Sequence, residues 1–247
     1  MRAEELWTQD LPAPEQTREV PSSLAELAAE FHRREWCAGV PWSLPVLMRP
    51  REVEELLARA ADRAAPGGHV CEVGAGMGGS TMALSVGNEA RGRVGEWVVS
   101  VDAMWGPENE WRAARVQRLC KRSVRTVFAV AESEFLSVFG GGRPTWRLAL
   151  IDGDHTGEAA RRDLEAVAPR MMAGGCILVH DVWRGEGGGP GAAFDWASWR
   201  VFGGVRLVPE PELVCTLGVF RAEAVVAPGE QVAWPRNAEG RVEYRGT

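Results

Sequence analysis

Short, continuous apolar segments alternate along the chain with longer segments in which apolar residues recur every three or four positions. Five of the short segments are typical of strands buried on both faces; they comprise residues 69–73, 96–102, 126–131, 147–152 and 176–181. The segments between them have the periodicity of amphipathic helices. This alternation predicts an α/β fold, a Rossmann-like doubly wound sheet whose strands are mostly parallel.

The alternation stops after Asp181. The segment 184–191, RGEGGGPG, is too rich in glycine for regular structure, and residues 192–202 are predicted to be helical. Residues 205–210 and 214–222 then form two predicted strands, with a link between them that is too short for a parallel crossover, so this pair is predicted to be antiparallel. We expect three parts: an N-terminal cap or substrate lid (1–50), a main domain (51–222) and a C-terminal tail (223–247).

The first apolar segment is followed by a glycine-rich loop that fits two binding patterns. As G-x-G-x-x-G, Gly74, Gly76 and Gly79 resemble the loop that holds the pyrophosphate of a dinucleotide. As E-x-G-x-G-x-G, Glu72 followed by Gly74, Gly76 and Gly78 resembles the loop of methyltransferases that use S-adenosylmethionine. A carboxylate at position 72 would repel a pyrophosphate but attract an ammonium group, directly or through water. The loop therefore favours S-adenosylmethionine.

Two residues at the end of the second apolar segment suit the nucleoside of either ligand. Asp102 ends that segment and can accept hydrogen bonds from both ribose hydroxyls. Trp105 follows closely, and its ring can stack on an adenine. These residues predict an adenosine site beside the glycine loop without deciding between the two ligands.

Acidic residues and histidines follow the fourth and fifth apolar segments. Asp152 ends the fourth and His155 follows it, while His180 and Asp181 end the fifth. Neighbouring parallel strands lie about 4.8 Å apart, so these side chains are expected to meet. Two carboxylates and an imidazole suit a hard divalent cation that activates a hydroxyl, with His155 as the base. The residues leave open the alternative that the aspartates cap a helix or hydrogen-bond to substrate.

Three stretches together carry a family resemblance: EVGAGMGGST at residues 72–81, SVDAMWG at 100–106 and the segment LIDGDH to LVHDVW at 150–183. They resemble class I S-adenosylmethionine-dependent methyltransferases, in the branch with macrolide-sugar O-methyltransferases and cephalosporin-hydroxylase-like proteins. The resemblance covers about residues 68–222. It implies a seven-stranded sheet whose last strand is antiparallel.

The resemblance also implies which residues bind the cofactor and carry the chemistry. The predicted S-adenosylmethionine contacts lie at the ends of the first four strands: Glu72, Gly74, Gly76, Gly78, Ser80, Asp102, Trp105, Glu132, Ser133 and Asp152. Metal-dependent members hold Mg²⁺ with residues that match Asp152, His180 and Asp181, and a histidine that matches His155 is their base. This chain has His180 where those members have glutamate.

These features predict a methyltransferase that uses S-adenosylmethionine. We expect it to methylate a hydroxyl on a small natural product, a sugar or a polyketide, with a divalent metal such as Mg²⁺ assisting. The predicted catalytic residues are His155, Asp152 and Asp181. Two alternatives stay open: a cofactor-binding subunit without activity of its own, and a nicotinamide-dependent oxidoreductase.

Composition and charge limit the classes of binding partner and the cellular location that we expect for this protein. A net charge of −6 argues against a nucleic-acid backbone as the main partner. No apolar run approaches the ~20 residues of a membrane span, and the N-terminus MRAEELWTQD lacks a signal-peptide core. The cysteines include no C-x-x-C pair, as expected for reduced structural thiols. We predict a soluble cytoplasmic protein that acts on a small molecule without nucleic-acid or membrane partners; whether it forms a homo-oligomer stays open.

Overall fold

A computed structural model describes residues 48–103, 110–120, 125–139, 145–182 and 188–225. Its helices are α1 (Pro50–Ala61), α2 (Gly79–Arg91), α3 (Glu110–Cys120), α4 (Glu134–Val138), α5 (Gly157–Val167) and α6 (Pro190–Ala197). Its strands are β1 (His69–Val73), β2 (Val98–Asp102), β3 (Thr126–Val130), β4 (Trp146–Ile151), β5 (Met171–Val179), β6 (Val201–Phe202), β7 (Val205–Pro209) and β8 (Gly218–Ala224). No helix among these described residues is long and apolar enough to cross a membrane.

All eight strands form one sheet in the order β3-β2-β1-β4-β5-β8-β7-β6. The first five strands are parallel, and β8 runs antiparallel to both β5 and β7. The predicted α/β class, with a mostly parallel sheet and an antiparallel last strand, is confirmed. The strand order reverses between β1 and β4, which is where open α/β sheets bind their ligands.

Helices cover both faces of this sheet because its central strands are apolar on both sides. On one face, Leu57 of α1 and Leu84 of α2 pack in a cluster with Leu148 of β4. On the other face, Leu164 of α5 and Phe194 of α6 belong to a second buried cluster. Both layers leave the carboxyl ends of the strands free to carry polar loops.

The sheet has eight strands rather than the predicted seven, because residues predicted to continue a helix form β6. Helix α6 ends at Ala197, and Trp199 has a positive φ of 68° that turns the chain. Gly203 and Gly204 follow β6 with φ of 55° and 89°. Two consecutive residues with positive φ make the tight turn that favours a β-hairpin, and this turn joins β6 to β7 in antiparallel register.

A second difference concerns the start of β5. The fifth strand was predicted over residues 176–181, but α5 ends at Val167 and a single 3₁₀ turn, Ala168–Arg170, leads into the strand already at Met171. Pro169 lies in that turn, and its missing N–H cannot continue an α-helix. The predicted cap and tail lie almost wholly outside the described residues, as does Trp105, so these assignments stay predictions.

Candidate active site

The glycine loop begins where β1 ends and leads directly into α2. Gly74, Gly76 and Gly78 have φ of 90°, 51° and 87°. L-residues with a side chain rarely adopt this left-handed conformation, whereas glycine does so without steric cost. Gly78 is the residue that precedes the first turn of α2. The spacing of these glycines therefore reflects a backbone requirement of the loop.

This loop lies against the end of β4. A Cβ built on Gly74 would be 1.9 Å from the backbone oxygen of Asp152, so the two chains touch without room for a side chain. The N–H of Gly74 donates to the carbonyl of Val101 at 2.9 Å, and the N–H of Asp152 donates to that of Val73 at 2.8 Å. The ends of β1, β2 and β4 thus form one continuous edge.

Glu72 lies beneath the loop and is fully buried. Its Oε2 accepts hydrogen bonds from the hydroxyls of Thr81 and Ser100, both at 2.5 Å. No donor among the described residues lies within 3.5 Å of Oε1 in hydrogen-bonding geometry, although the nearby hydroxyl of Ser80 lowers the pKa of Glu72. Burial raises the pKa of Glu72 to about 7, although its hydrogen bonds oppose that rise. A buried acceptor without a donor is uncommon in folded proteins. A cationic amino group, bound directly or through a water molecule, would satisfy it.

Asp102 is fixed at the end of β2 by the same loop. Its Oδ2 accepts a hydrogen bond of 2.8 Å from the N–H of Gly76, and its backbone oxygen accepts one of 3.1 Å from Ala131. Burial raises the pKa of Asp102. The carboxylate is only partly buried, so the loop orients it at the edge of the sheet without enclosing it.

The other predicted cofactor residues extend this edge toward β3. Ser80 lies buried in the first turn of α2. Glu132 is exposed just after β3, and the neighbouring Ser133 is buried at the start of α4. Burial raises the pKa of Asp163 on α5 to about 6, and a hydrogen bond from Ser133 opposes that rise. The described part of the predicted cofactor set therefore follows the carboxyl ends of β1, β2, β3 and β4.

On the opposite side of Asp152, the structure brings together the four residues predicted from the ends of β4 and β5. Asp152 Oδ1 is 2.8 Å from His180 Nδ1 and 3.3 Å from His155 Nε2. His155 Nδ1 is 3.2 Å from Asp181 Oδ2. The side chain of His155 is 51% exposed and that of His180 only 7%. His155 is thus the member of the cluster that an acceptor can reach.

Sequence reasoning missed two residues of this cluster, Glu52 on α1 and Thr216 in the turn before β8. Glu52 Oε2 is 3.5 Å from His180 Nε2. Glu52 Oε1 accepts hydrogen bonds from the N–H of Thr216 at 2.8 Å and from its hydroxyl at 2.6 Å. The one available signal was helical spacing: Glu52 lies four residues before the buried Leu56, on the face that α1 turns toward the core.

The carboxylates control the protonation of both histidines. Burial lowers the pKa of His180, but hydrogen bonds to Asp152 and Glu52 outweigh burial and raise it to about 10. The hydrogen bond to Asp152 raises the pKa of His155, with a further contribution from Asp181. Burial would raise the pKa of Glu52, but its hydrogen bonds from His180 and Thr216 lower it to about 2.

The donor set does not fit the predicted Mg²⁺. Asp152, His155 and His180 each place one potential ligand atom within 4.8 Å of the others. Two of these three donors are imidazoles, whereas Mg²⁺ prefers carboxylate, carbonyl and water oxygens. Both nitrogens of His180 already face carboxylate oxygens, and Asp181, a predicted ligand, lies 3.2 Å from His155 Nδ1 and 3.8 Å from His180 Nδ1.

Comparisons with known proteins agree with this architecture. Residues 71–182 match the family model described as "Methyltransferase domain", and no curated protein has a significant match to the chain. A putative O-methyltransferase from Klebsiella pneumoniae has a similar structure, with a TM-score of 0.56 and 13% identity over 85% of this chain and 93% of that chain.

Two similar structures contain the cofactor or its product. The O-methyltransferase from Bacillus cereus, in complex with SAH, has a TM-score of 0.55 and 16% identity over 90% of this chain and 97% of that chain. TomG, an O-methyltransferase from Streptomyces achromogenes involved in tomaymycin synthesis, was solved in complex with SAM. It has a TM-score of 0.51 and 15% identity over 85% of this chain and 92% of that chain.

The matched segment contains both halves of the site. It begins in β1 one residue before Glu72 and ends one residue after Asp181, so it includes the glycine loop, Asp102, Asp152 and both histidines of the cluster. The unsatisfied carboxylate beneath the loop fits a bound ammonium group better than a pyrophosphate, and the oxidoreductase alternative is not favoured. Residues 71–182 therefore match a methyltransferase domain, and the fold of the chain is that of the similar methyltransferase structures.

Proposed function

We propose that the protein transfers a methyl group to a hydroxyl of a small natural product, a sugar or a polyketide. The observation that carries this proposal is the position of His155. Its ring is half exposed, lies between Asp152 and Asp181, and shares Asp152 with the edge that the glycine loop forms. A proton acceptor beside a cofactor edge is what methylation of a weakly acidic hydroxyl requires.

His155 acts as the general base in this proposal. S-adenosylmethionine, when bound along Glu72, the glycine loop and Asp102, supplies an electrophilic methyl group. The two contacts of His155 with carboxylates are long, at 3.3 and 3.2 Å. A neutral imidazole has one N–H, so it donates to one of the two carboxylates. Rotation of the ring then directs its unprotonated nitrogen at the acceptor hydroxyl. Once His155 has taken the proton, Asp152 and Asp181 both stabilise the imidazolium. The hydroxyl oxygen is then the nucleophile.

Several features support the class of acceptor. The acidic protein and its exposed imidazole suit a neutral, hydroxylated small molecule better than a polyanion. TomG, which has a similar fold, is involved in the synthesis of tomaymycin. Metal assistance is not part of the proposal because the described donor set does not suit Mg²⁺. The cytoplasmic location predicted from composition stays a prediction.

Turnover with a panel of acceptors tests the proposal. The purified protein is incubated with S-adenosylmethionine labelled in its methyl group and with sugars, polyketide phenols and matched amines, and the products are identified by mass spectrometry. We expect label on a hydroxyl oxygen. Label on nitrogen alone would contradict hydroxyl methylation, and cofactor binding without turnover on any acceptor would favour a subunit without activity of its own.

The variant His155→Gln tests the base, with Glu158→Gln as its matched control. Glu158 is an exposed residue in the first turn of α5, so its substitution changes charge nearby without touching the cluster. We expect His155→Gln to lower kcat by roughly 10²- to 10⁴-fold while affinity for SAH stays within experimental error. Unchanged kcat would exclude His155 as the base.

A further inference from the structure

Carboxylates and imidazoles alternate in a row through the site, and the outer end of this row turns back so that Asp181 Oδ2 also lies 3.8 Å from His180 Nδ1. Glu52 Oε2 lies 3.5 Å from His180 Nε2, and His180 Nδ1 lies 2.8 Å from Asp152 Oδ1. The same oxygen of Asp152 is 3.3 Å from His155 Nε2, and His155 Nδ1 is 3.2 Å from Asp181 Oδ2. The row runs from the core, at Glu52, to the exposed edge where an acceptor would bind. Its inner half is not needed for His155 to act as a base, so it requires its own explanation.

The inner end of the row is a buried, ionised carboxylate, that of Glu52. Glu52 is 1% exposed, and its carboxylate accepts hydrogen bonds from the N–H of Arg49 at 2.7 Å and from the N–H and hydroxyl of Thr216. Three donors directed at one buried carboxylate stabilise its ionised form. Glu52 therefore presents a fixed negative charge to His180. It lies outside the segment that matches the methyltransferase family model.

His180 faces a carboxylate at each of its ring nitrogens. A neutral imidazole has one N–H, so its other nitrogen would direct a lone pair at a carboxylate oxygen. The contact of His180 with Asp152 is a hydrogen bond of 2.8 Å, whereas its contact with Glu52 at 3.5 Å is an ion-pair distance. An imidazolium between the two compensates two buried or partly buried carboxylates. The ring is 7% exposed, so water screens these contacts poorly. Neither nitrogen is left to coordinate an ion.

We propose that the protonated side chain of His180, held between Glu52 and Asp152, is a fixed cation that takes the place of a divalent metal ion. Glu52 is the positioning residue that holds this cation in place. The inference rests on the proposed function. The cation fixes Asp152 at the junction between the glycine loop and His155. It also opposes the effect of the carboxylates on His155, since the charge of His180 lowers the pKa of that residue. The site then needs no metal to orient its carboxylates.

Metal binding gives the first test, on the unmodified protein. We expect calorimetry with MgCl₂ at millimolar concentrations to give no binding heat, and thermal unfolding to be unaffected by EDTA. The variant His180→Glu places a third carboxylate beside Glu52 and Asp152, so we expect it to bind Mg²⁺ and to unfold at a higher temperature when Mg²⁺ is present. Saturable binding of Mg²⁺ by the unmodified protein that disappears in His180→Gln would overturn the proposal.

The protonation of His180 gives the second test. Protein labelled with ¹⁵N-histidine is measured by long-range ¹H–¹⁵N NMR at pH 8 in EDTA, with His180→Gln to assign the signal. We expect both ring nitrogens of His180 to have the ¹⁵N chemical shifts of an imidazolium in the unmodified protein and in the variant Glu55→Gln. In Glu52→Gln we expect the chemical shifts of a neutral ring. Glu55 is the matched control because it lies on the same helix and pairs with Arg59 instead. A neutral His180 in the unmodified protein would overturn the proposal.

Neither test depends on methyl transfer, so they distinguish failure of this inference from failure of the proposed function. Should no acceptor be methylated, the metal and NMR results still decide whether His180 replaces the ion. If turnover is observed, we expect EDTA to leave kcat and KM unchanged and Glu52→Gln to lower kcat more than it raises KM. Activity that EDTA abolishes and Mg²⁺ restores would contradict the inference while leaving the proposed function intact.

Discussion

The backbone of Gly74 touches the backbone carbonyl of Asp152, so closely that a Cβ on Gly74 would lie 1.9 Å from that oxygen. Gly74 belongs to the loop predicted to hold the cofactor, and Asp152 carries the cluster that contains the proposed base. The contact therefore fixes the distance between the two halves of the site.

Gly74→Ala is expected to destabilise the protein and to abolish binding of SAH. The new methyl group would overlap the carbonyl of Asp152, and the φ of 90° would add strain of roughly 1–2 kcal/mol. Gly92→Ala is the matched control, because Gly92 has a φ of 75° but its Cβ would meet nothing within 4 Å. Urea unfolding should show a larger loss for Gly74→Ala than for Gly92→Ala. Equal losses would show that the contact with Asp152 does not constrain the loop.

Glu72→Gln is expected to stabilise the free protein increasingly as pH rises. Burial raises the pKa of Glu72 from 4.5 to about 7. Below pH 4.5 the carboxyl group is protonated in the folded and the unfolded protein, so it does not reduce the free energy of unfolding. Above pH 7 it is ionised in both, and its burial reduces the free energy of unfolding by at most about 3 kcal/mol. Urea unfolding of the variant and the unmodified protein at pH 5 and pH 8 measures this difference. The exposed Glu165 provides the control variant Glu165→Gln, which should show no such change.

The same Glu72→Gln variant should bind SAH more weakly, by about 10-fold or more, because a hydrogen bond to a charged group contributes roughly 1.5–3 kcal/mol. The physical reason is the unpaired Oε1 beneath the loop, which we expect the amino group of the ligand to satisfy. Calorimetry at pH 8 measures the loss. Equal affinities of variant and unmodified protein would remove Glu72 from the cofactor site.

The pH dependence of kcat/KM should report His155. The hydrogen bond to Asp152 and the charge of Asp181 raise its pKa above the usual 6.5, and the base works only when neutral. The rate should therefore increase with pH through a midpoint above 6.5. Asp181→Asn removes one of the two carboxylates and should move that midpoint toward 6.5. A midpoint at or below 6.5 in the unmodified protein would contradict the assignment.

Thr216→Val should destabilise the protein by about 1.5–3 kcal/mol. The hydroxyl of Thr216 donates a hydrogen bond of 2.6 Å to the buried carboxylate of Glu52, and hydrogen bonds to charged groups contribute about that much to stability. Valine keeps the shape of threonine, so the loss would reflect the hydrogen bond rather than a cavity. Urea unfolding at pH 7 provides the measurement. An unchanged free energy of unfolding would mean that Glu52 does not depend on this donor.

The sequence predicted the parts of the site that follow directly from strand ends. Asp102, Asp152 and Asp181 each end a continuous apolar run, and parallel strands bring such residues to one edge whatever helices separate them. The contact of Asp152 with His180 is a consequence of β4 and β5 being neighbours in register, whereas His155 lies only three residues after Asp152 in the same loop. These predictions needed only the period of the strands and the direction of the sheet.

The sequence could not predict features that depend on packing between distant segments. Glu52 lies in the first turn of a helix that begins at a proline, where a glutamate usually interacts with the helix N-terminus at the surface. Its burial follows from the turn before β8, whose Thr216 lies 164 positions away and donates to it. The short β6 was missed for a different reason: the pair Gly203 and Gly204 was a hairpin signal, but the two residues before it, Val201 and Phe202, were assigned to the end of a predicted helix.

Titration of the unmodified protein with SAH by isothermal calorimetry tests the central claim most directly, namely that the glycine loop, Glu72 and Asp102 form a site for the cofactor of methyl transfer. We predict saturable binding with one ligand per chain, together with no binding of NADH under the same conditions. An absence of binding heat at millimolar SAH, or binding that Gly74→Ala leaves unchanged, would contradict the account.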